Sequence, residues 1–151
     1  FFMRPILWDG WVIDYYDALA YLRGEKTWFK VKHKKIRFLV DTGALRTTVP
    51  RGLLGDINPL NIREVHAQGI CDSSTRFMLS HLGIALAVND KHVASIHGVL
   101  IPLEDEVEKK LEEVLSAHSA DAILGLISMD ELHVVIDEKT KKPKLMPLMI
   151  L

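Results

Sequence analysis

The sequence has 151 residues, the length of a single domain, and 48% of them are hydrophobic, which is enough to build a core. Its formal net charge of −1 excludes a strong overall attraction to nucleic acid or anionic lipid. No stretch stays apolar over the roughly 18 residues that a membrane-spanning helix requires, so we expect no membrane partner.

The N-terminal part of the chain predicts a short helix over residues 14–23. Asp14 is a suitable N-cap, and Gly24 follows as a stop. We interpret residues 1–26 as an extension that packs on the domain or on a dimer interface, and residues 27–151 as the main domain. The opening residues lack a cationic segment followed by a small-residue cleavage site, so we expect no signal peptide there.

The segments that follow are typical of β-strands. Bulky and polar residues alternate over 27–32, and residues 36–40 are rich in strand-forming side chains, so the two together predict a hairpin. The sequence predicts three further strands, over residues 63–70, 77–88 and 92–101. Residues 89–91 form the predicted turn between the last two.

A basic cluster surrounds the first predicted hairpin. Its simplest interpretation is a solvated hairpin tip, and the alternative is a phosphate-binding patch, for example on an unrelated small β-barrel that binds nucleic acid. Such binding would depend strongly on salt. We favour the hairpin tip and expect no nucleic-acid partner. The cluster consists of Lys30, Lys32, His33, Lys34, Lys35 and Arg37.

Residues 104–118 interrupt the β pattern and predict an inserted helix. One face of this helix is apolar, and acidic and lysine residues occupy the opposite face. Asp105 and Glu106 are each four residues before a lysine, the favourable order for ion pairs. A short turn or helix over 129–132 and a strand over 133–137 should follow. The uncharged tail at 145–151 should be buried in a sheet or by a partner. The apolar stripe of the helix is Val107, Leu111, Val114 and Leu115.

An aspartate stands where an apolar strand runs into a flexible turn. Residues 38–40 are apolar and lead directly into Asp41, and Thr42, Gly43 and Ala44 follow. Glycine at this position lets the backbone approach the carboxylate closely. The Thr42 hydroxyl is placed to bond across to a neighbouring copy. Taken alone, the triplet Asp-Thr-Gly is also compatible with an ordinary turn.

Two motifs together resemble the signatures of the retropepsin-like family of aspartic proteases. The first is the Asp-Thr-Gly-Ala sequence at 41–44, followed by Thr-Thr-Val-Pro at 47–50. The second, far downstream, consists of Ile123, Leu124 and Gly125. The resemblance covers residues 27–147. It departs from the family pattern after Gly125, where four residues intervene before Asp130, and in the segment at 69–75, which is not rich in glycine.

The resemblance implies a mostly β, retropepsin-like acid-protease β-barrel that uses no metal or cofactor. It implies that Asp41 is the catalytic residue, and that Thr42, Gly43 and Ala44 support the active-site loop. It also implies a mobile flap over the substrate. The residues that the resemblance places at the flap are Gly69, Ile70, Cys71, Asp72, Ser73 and Ser74.

Hydrolysis by this class of enzyme needs two facing carboxylates that share one proton. The chain holds one Asp-Thr-Gly, and Asp137 is followed by a turn without glycine, so we interpret Asp137 as structural. A two-fold homodimer would place Asp41 opposite its copy. We therefore expect a homodimeric endopeptidase that acts on a peptide or protein. The alternative is a retropepsin-like dimerisation or peptide-binding module with little turnover.

Other reactive side chains point to no further chemistry. Cys71 has no partner for an intrachain disulfide and favours a reducing, cytoplasmic location. It is either a plain thiol or a redox-sensitive one at the flap. His92 and His97 are five apart in a predicted strand, which places them on opposite faces and argues against a shared metal. No nucleophile elbow of the form Gly-x-Ser-x-Gly surrounds Ser73, Ser74 or Ser80.

Overall fold

The computed structural model describes residues 4–68 and 74–146 of the chain. The strands there are β1 (Ile6–Ile13), β2 (His33–Val40), β3 (Leu60–Gln68), β4 (Ser74–Val88), β5 (Lys91–Pro102), β6 (Ala122–Leu124), β7 (Val134–Ile136) and β8 (Pro143–Leu145). The helices there are α1 (Tyr15–Leu22), α2 (Arg51–Leu54), α3 (Asp105–Ala117) and α4 (Leu126–Glu131).

The prediction of a mostly β fold is confirmed, although the strands of the described residues do not close into a barrel. Six strands form one sheet, and β7 and β8 form a separate pair. Strand β4 organises the large sheet because it is long enough to serve three neighbours. One of its edges pairs with β3 and then with β1, and its other edge pairs with β5 along almost its full length.

Strand β1 corrects the interpretation of the N-terminal region. It lies between β2 and β4 and pairs antiparallel with both, so this region is an integral part of the sheet rather than an extension of it. Its burial alternates, with Trp8, Gly10 and Val12 buried. The sequence alone does not reveal this alternation, because Gly10 stands where a large apolar residue would mark the strand. A side chain there would meet Ala85 O at 2.6 Å.

The hairpin predicted over residues 27–32 and 36–40 is wrong. Trp28–Lys30 form a single 3₁₀ turn, and β2 pairs with β1 and β6 instead. Trp28 packs against Trp11 at 5.5 Å and stacks on His33 at 4.2 Å between ring centroids. The alternation of bulky residues at 27–32 therefore reflects an aromatic cluster on a turn. The basic cluster consequently starts on this turn and continues along β2.

Several other predicted elements are confirmed. Helix α1 begins after Asp14, whose side chain accepts a hydrogen bond from the Asp17 N–H. Strands β4 and β5 meet at Asn89 and Asp90, both with positive φ, as a tight hairpin turn requires. Strand β7 lies within the predicted segment 133–137. None of the helices in the described ranges is long and apolar enough to cross a membrane.

The inserted helix is present as α3, and it covers one face of the sheet next to β2. Adjacent residues of β2 point to opposite faces, as in any strand. Phe38 enters the main core, whereas Leu39 packs with Leu111 and Leu115 of α3. Two details differ from the prediction. Val114 is 39% exposed, and Asp105 pairs with Arg51 at 2.6 Å rather than with a lysine.

Candidate active site

Asp41 lies at the carboxyl end of β2, at the start of an exposed loop. Its backbone N–H donates a hydrogen bond to Leu124 O at 3.0 Å, which continues the pairing of β2 with β6. The Gly43 N–H donates to Asp41 Oδ1 at 2.9 Å, and the Ala44 N–H donates to the Asp41 carbonyl at 3.1 Å. The Gly43 N–H thus orients the Asp41 carboxylate, the other two bonds fix the backbone around it, and the residue stays exposed.

The loop that begins at Asp41 straddles strand β6. Strand β2 lies parallel to β6 on one edge, with Val40 opposite Leu124. After the loop, Thr48 pairs with Ile123 on the other edge of β6, with reciprocal hydrogen bonds of 3.0 Å. Thr48 also bridges to Leu100 of β5. The structure therefore brings the two predicted signatures together, although about 80 residues separate them in the sequence.

Gly125 lets the two signatures approach each other at backbone distance. A Cβ atom at this position would lie 2.7 Å from Arg46 O and 2.8 Å from Thr47 N. The Gly125 N–H donates to Thr47 Oγ1 at 3.0 Å, and that hydroxyl is also bonded to Ser128 Oγ at 2.6 Å. Thr47 and Ser128 are both buried. Thr47 belongs to the first signature, but its bond to Ser128 joins residues 81 positions apart, so no local pattern predicts it.

Helix α4 corrects the predicted position of the short helix after the second signature. It begins at Leu126, directly after Gly125, and not at Met129. The Leu126 and Ile127 N–H groups donate to the carbonyls of Ala44 and Leu45, at 2.9 and 3.0 Å. These acceptors lie in the Asp41 loop, so the first turn of α4 is tied directly to that loop. The four residues that precede Asp130 therefore form the first turn of this helix.

A cavity of about 680 Å³ lies beside Asp41. The Asp41 loop forms one wall, and the hairpin of β3 and β4 forms another through alternate residues of each strand. Strand β5 and strand β6 supply the floor. The cavity is large enough for several side chains of a ligand. Its lining residues are Asp41, Gly43, Ala44, Leu45, Arg46, Thr48, Arg63, Val65, Ala67, Phe77, Leu79, Leu100 and Ile123.

The remaining predicted site residues are Thr42 and the six residues of the predicted flap. Thr42 is exposed in the loop next to Asp41. Five of the flap residues, Gly69, Ile70, Cys71, Asp72 and Ser73, lie outside the described residues. Ser74 begins β4 and is paired with Gln68 at the end of β3. Ser74, the one predicted flap residue within the described ranges, therefore lies at the paired ends of β3 and β4, the strands that line the cavity.

Asp137 has the structural position expected for it. Its Oδ1 accepts hydrogen bonds from the N–H groups of Lys139 and Thr140, at 2.9 and 3.2 Å, in the turn between β7 and β8. These two backbone bonds lower the pKa of the carboxyl group. Asp137 is not among the residues that line the Asp41 cavity.

A second polar chain joins β5 to α4. Ser95 Oγ lies 2.7 Å from His97 Nε2, and His97 Nδ1 lies 3.0 Å from Glu131 Oε2, without the alignment of a hydrogen bond. The order of the three groups is that of a nucleophile, a base and an orienting acid. His97 is only 1% exposed, and burial lowers its pKa from 6.5 to about 4. A ring so enclosed has no route to substrate, so we interpret the chain as structural.

A scan of the sequence against protein-family models found no match, and a search of curated protein sequences found none either.

Proposed function

We propose that this protein is a retropepsin-like aspartic endopeptidase in which Asp41 supplies one of the two catalytic carboxylates. The observation that supports this most strongly is the placement of Asp41. Its exposed carboxylate is fixed by the Gly43 N–H at the edge of a cavity of about 680 Å³. The looping of the chain around β6 provides a second line of support, because it makes the two sequence signatures neighbours.

The proposed reaction is the attack of water on a peptide carbonyl. Two carboxylates in contact share one proton, since both cannot be ionised at short range. The ionised carboxylate takes a proton from the water, and the protonated one donates a hydrogen bond to the carbonyl oxygen of the scissile bond. The carboxylate must keep a fixed orientation in both roles. The hydrogen bond from Gly43 serves this purpose without using a side chain.

A homodimer would provide the second carboxylate. A two-fold axis close to the Asp41 loop would bring the same loop from another copy opposite it. The loop carries apolar side chains suited to such an interface: Leu45 is 64% exposed, and Leu126, whose N–H binds the loop, is 39% exposed. Leu145 and Met146 are also exposed, and they lead into the apolar residues 147–151, which lie outside the described residues.

The second candidate function is peptide binding without turnover. The cavity is equally suited to hold a peptide, because most of its lining is apolar and the hairpin of β3 and β4 covers one side. What separates the two candidates is whether the Asp41 carboxylates come together and share a proton. For either candidate we propose a cytoplasmic location, on the ground that Cys71 is the one cysteine in the sequence.

Incubation with an unfolded protein at several pH values from acidic to neutral tests the proposal. The expected result is fragmentation that a transition-state-analogue inhibitor of aspartic proteases abolishes. Sedimentation of the same sample at tens of micromolar should show a dimer, and cleavage by a strict monomer would contradict the shared site. A dimer that binds peptides without cleaving them at any pH would favour the second candidate.

A further inference from the structure

The cavity beside Asp41 carries two arginines among mainly apolar residues. Arg46 lies in the Asp41 loop and Arg63 lies on β3, so the two approach the cavity from different walls. Arg63 stands opposite Leu79, at a point where the pairing of β3 with β4 is irregular. The cavity thus combines a mainly apolar lining with two arginine side chains and the carboxylate of Asp41.

Arg46 is held at the cavity edge by a close contact with β5. Its Nη1 donates to Gly98 O at 3.3 Å, and a Cβ atom at residue 98 would lie only 2.6 Å from Nη1. Glycine at this position therefore makes room for the guanidinium group. One N–H is used in this bond, and the guanidinium has further donors in a planar arrangement that fits a carboxylate. Arg46 is partly buried, which strengthens a charge interaction there.

Neither cavity arginine has an acidic partner within the described part of the chain, whereas three other arginines do. Arg37 pairs with Asp9, Arg51 with Asp105, and Arg76 with Glu64 and Glu104. The difference is clearest on the β3–β4 hairpin, where Arg76 is engaged by Glu64 while the neighbouring Arg63 is exposed and forms no such pair. The two positive charges that line the cavity are therefore available to a ligand.

We infer that the cleft selects peptides in which an Asp or Glu side chain lies close to apolar residues, with Arg46 and Arg63 binding the carboxylate. This inference rests on the proposed function, because it takes the cavity as the peptide-binding cleft. The apolar lining contacts the neighbouring residues of the peptide, and the arginines fix its register.

Binding to an inactive variant separates this selectivity from catalysis. The probes are dodecapeptides with Phe-Leu at the centre, in which one Glu or one Gln occupies each flanking position in turn. Their affinity for Asp41→Asn is measured by fluorescence anisotropy at neutral pH. At one position or more, we expect the Glu peptide to bind about tenfold more tightly than its Gln twin, the effect of a charge-assisted hydrogen bond.

Two variants and a control assign the effect to the arginines. Arg46→Met and Arg63→Met, each in the Asp41→Asn background, should reduce the ratio of Glu to Gln affinity towards one. Arg76→Met is the matched control, since Arg76 lies on the same hairpin but is engaged by Glu64 and Glu104, and it should leave the ratio unchanged. Arg46→Glu should abolish the preference for Glu, because the new carboxylate would compete with the peptide for Arg63.

The outcomes distinguish the two proposals. Equal affinities for every Glu and Gln pair, or no binding of any peptide, would overturn the inferred selectivity. If the wild-type protein cleaves the peptides without preferring Glu, the proposed function stands and the selectivity fails. If the Glu preference is present in binding but the wild-type protein cleaves nothing, the selectivity stands and the peptidase proposal fails.

Discussion

Gly125 illustrates how a single residue controls the geometry around Asp41. Its N–H binds the Thr47 hydroxyl, and its α-carbon faces the backbone of residues 46 and 47 at a distance that excludes a side chain. The obstructing atoms belong to the backbone, and helix α4 fixes the loop from the other side. The two signatures therefore cannot move apart without breaking several hydrogen bonds.

Gly125→Ala should destabilise the protein by about 1–3 kcal/mol or prevent folding, because backbone atoms cannot move aside as a flexible side chain can. Gly52→Ala is the control. A Cβ atom there would lie 3.4 Å from Glu112 Oε1, an ordinary contact, and alanine favours the helical conformation of α2. Urea unfolding of both variants provides the comparison. Equal midpoints for the two would contradict the close approach described here.

Helix α3 stabilises the two strands that lie behind Asp41, β2 and β6. Its buried residues Leu111 and Leu115 cover Leu39 of β2, which leads into the Asp41 loop, and Ile123 of β6, the strand that this loop straddles. Its Glu108 carboxylate also accepts the N–H groups of Arg51 and Gly52, each at 2.9 Å. The inserted helix thus supports the strands behind the site and reaches the cavity lining through Ile123.

Leu111→Ala should lower the free energy of unfolding by about 2–5 kcal/mol, the usual cost of a cavity in a packed core. Val114→Ala, on the same helix but 39% exposed, should cost well under about 1 kcal/mol. Thermal and urea unfolding measure both. Similar losses for the two variants would show that α3 does not pack as described.

The buried His97, where β5 contacts α4, makes the folding stability depend on pH. Burial holds the pKa of His97 at about 4, whereas in the unfolded chain the imidazole takes up a proton near 6.5. The unfolded state therefore binds more protons between these values, and folding stability falls as the pH is lowered from about 6.5 to about 4. Below this window, His97 causes no further loss.

The contribution of His97 to this loss should be roughly 3 kcal/mol, from a pKa difference of this size. His97→Gln removes the titrating group and keeps a polar side chain near Ser95 Oγ. The free energy of unfolding of wild type and variant is measured by urea titration at pH 7, 6, 5 and 4. The wild type should lose more stability than the variant across this range, and parallel curves would contradict the prediction.

Across the whole molecule, the sequence predicts helices and strands that carry a local signal better than it predicts pairings between strands far apart in the chain. The helices α1 and α3 and the strands β4 and β5 have caps, turns or periodic patterns within their own segments, and these were predicted. Strand β1 was not, because its evidence is its pairing with β2 and β4, which no local pattern reveals. The position of Asp41 at the end of a strand was predictable, whereas the cavity, its arginines and the buried Thr47 depend on contacts between distant segments.

Cleavage of an unfolded protein by purified Asp41→Asn is the most direct test of the proposal that Asp41 is a catalytic carboxylate. Asn keeps an oxygen for the Gly43 N–H, so the variant should fold and assemble as the wild type does. It cannot take a proton from water, so cleavage should fall by at least ~10²–10⁴. Asp137→Asn, which alters an aspartate outside the cavity, should cleave normally. Cleavage at the wild-type rate by a folded Asp41→Asn would show that Asp41 is not catalytic.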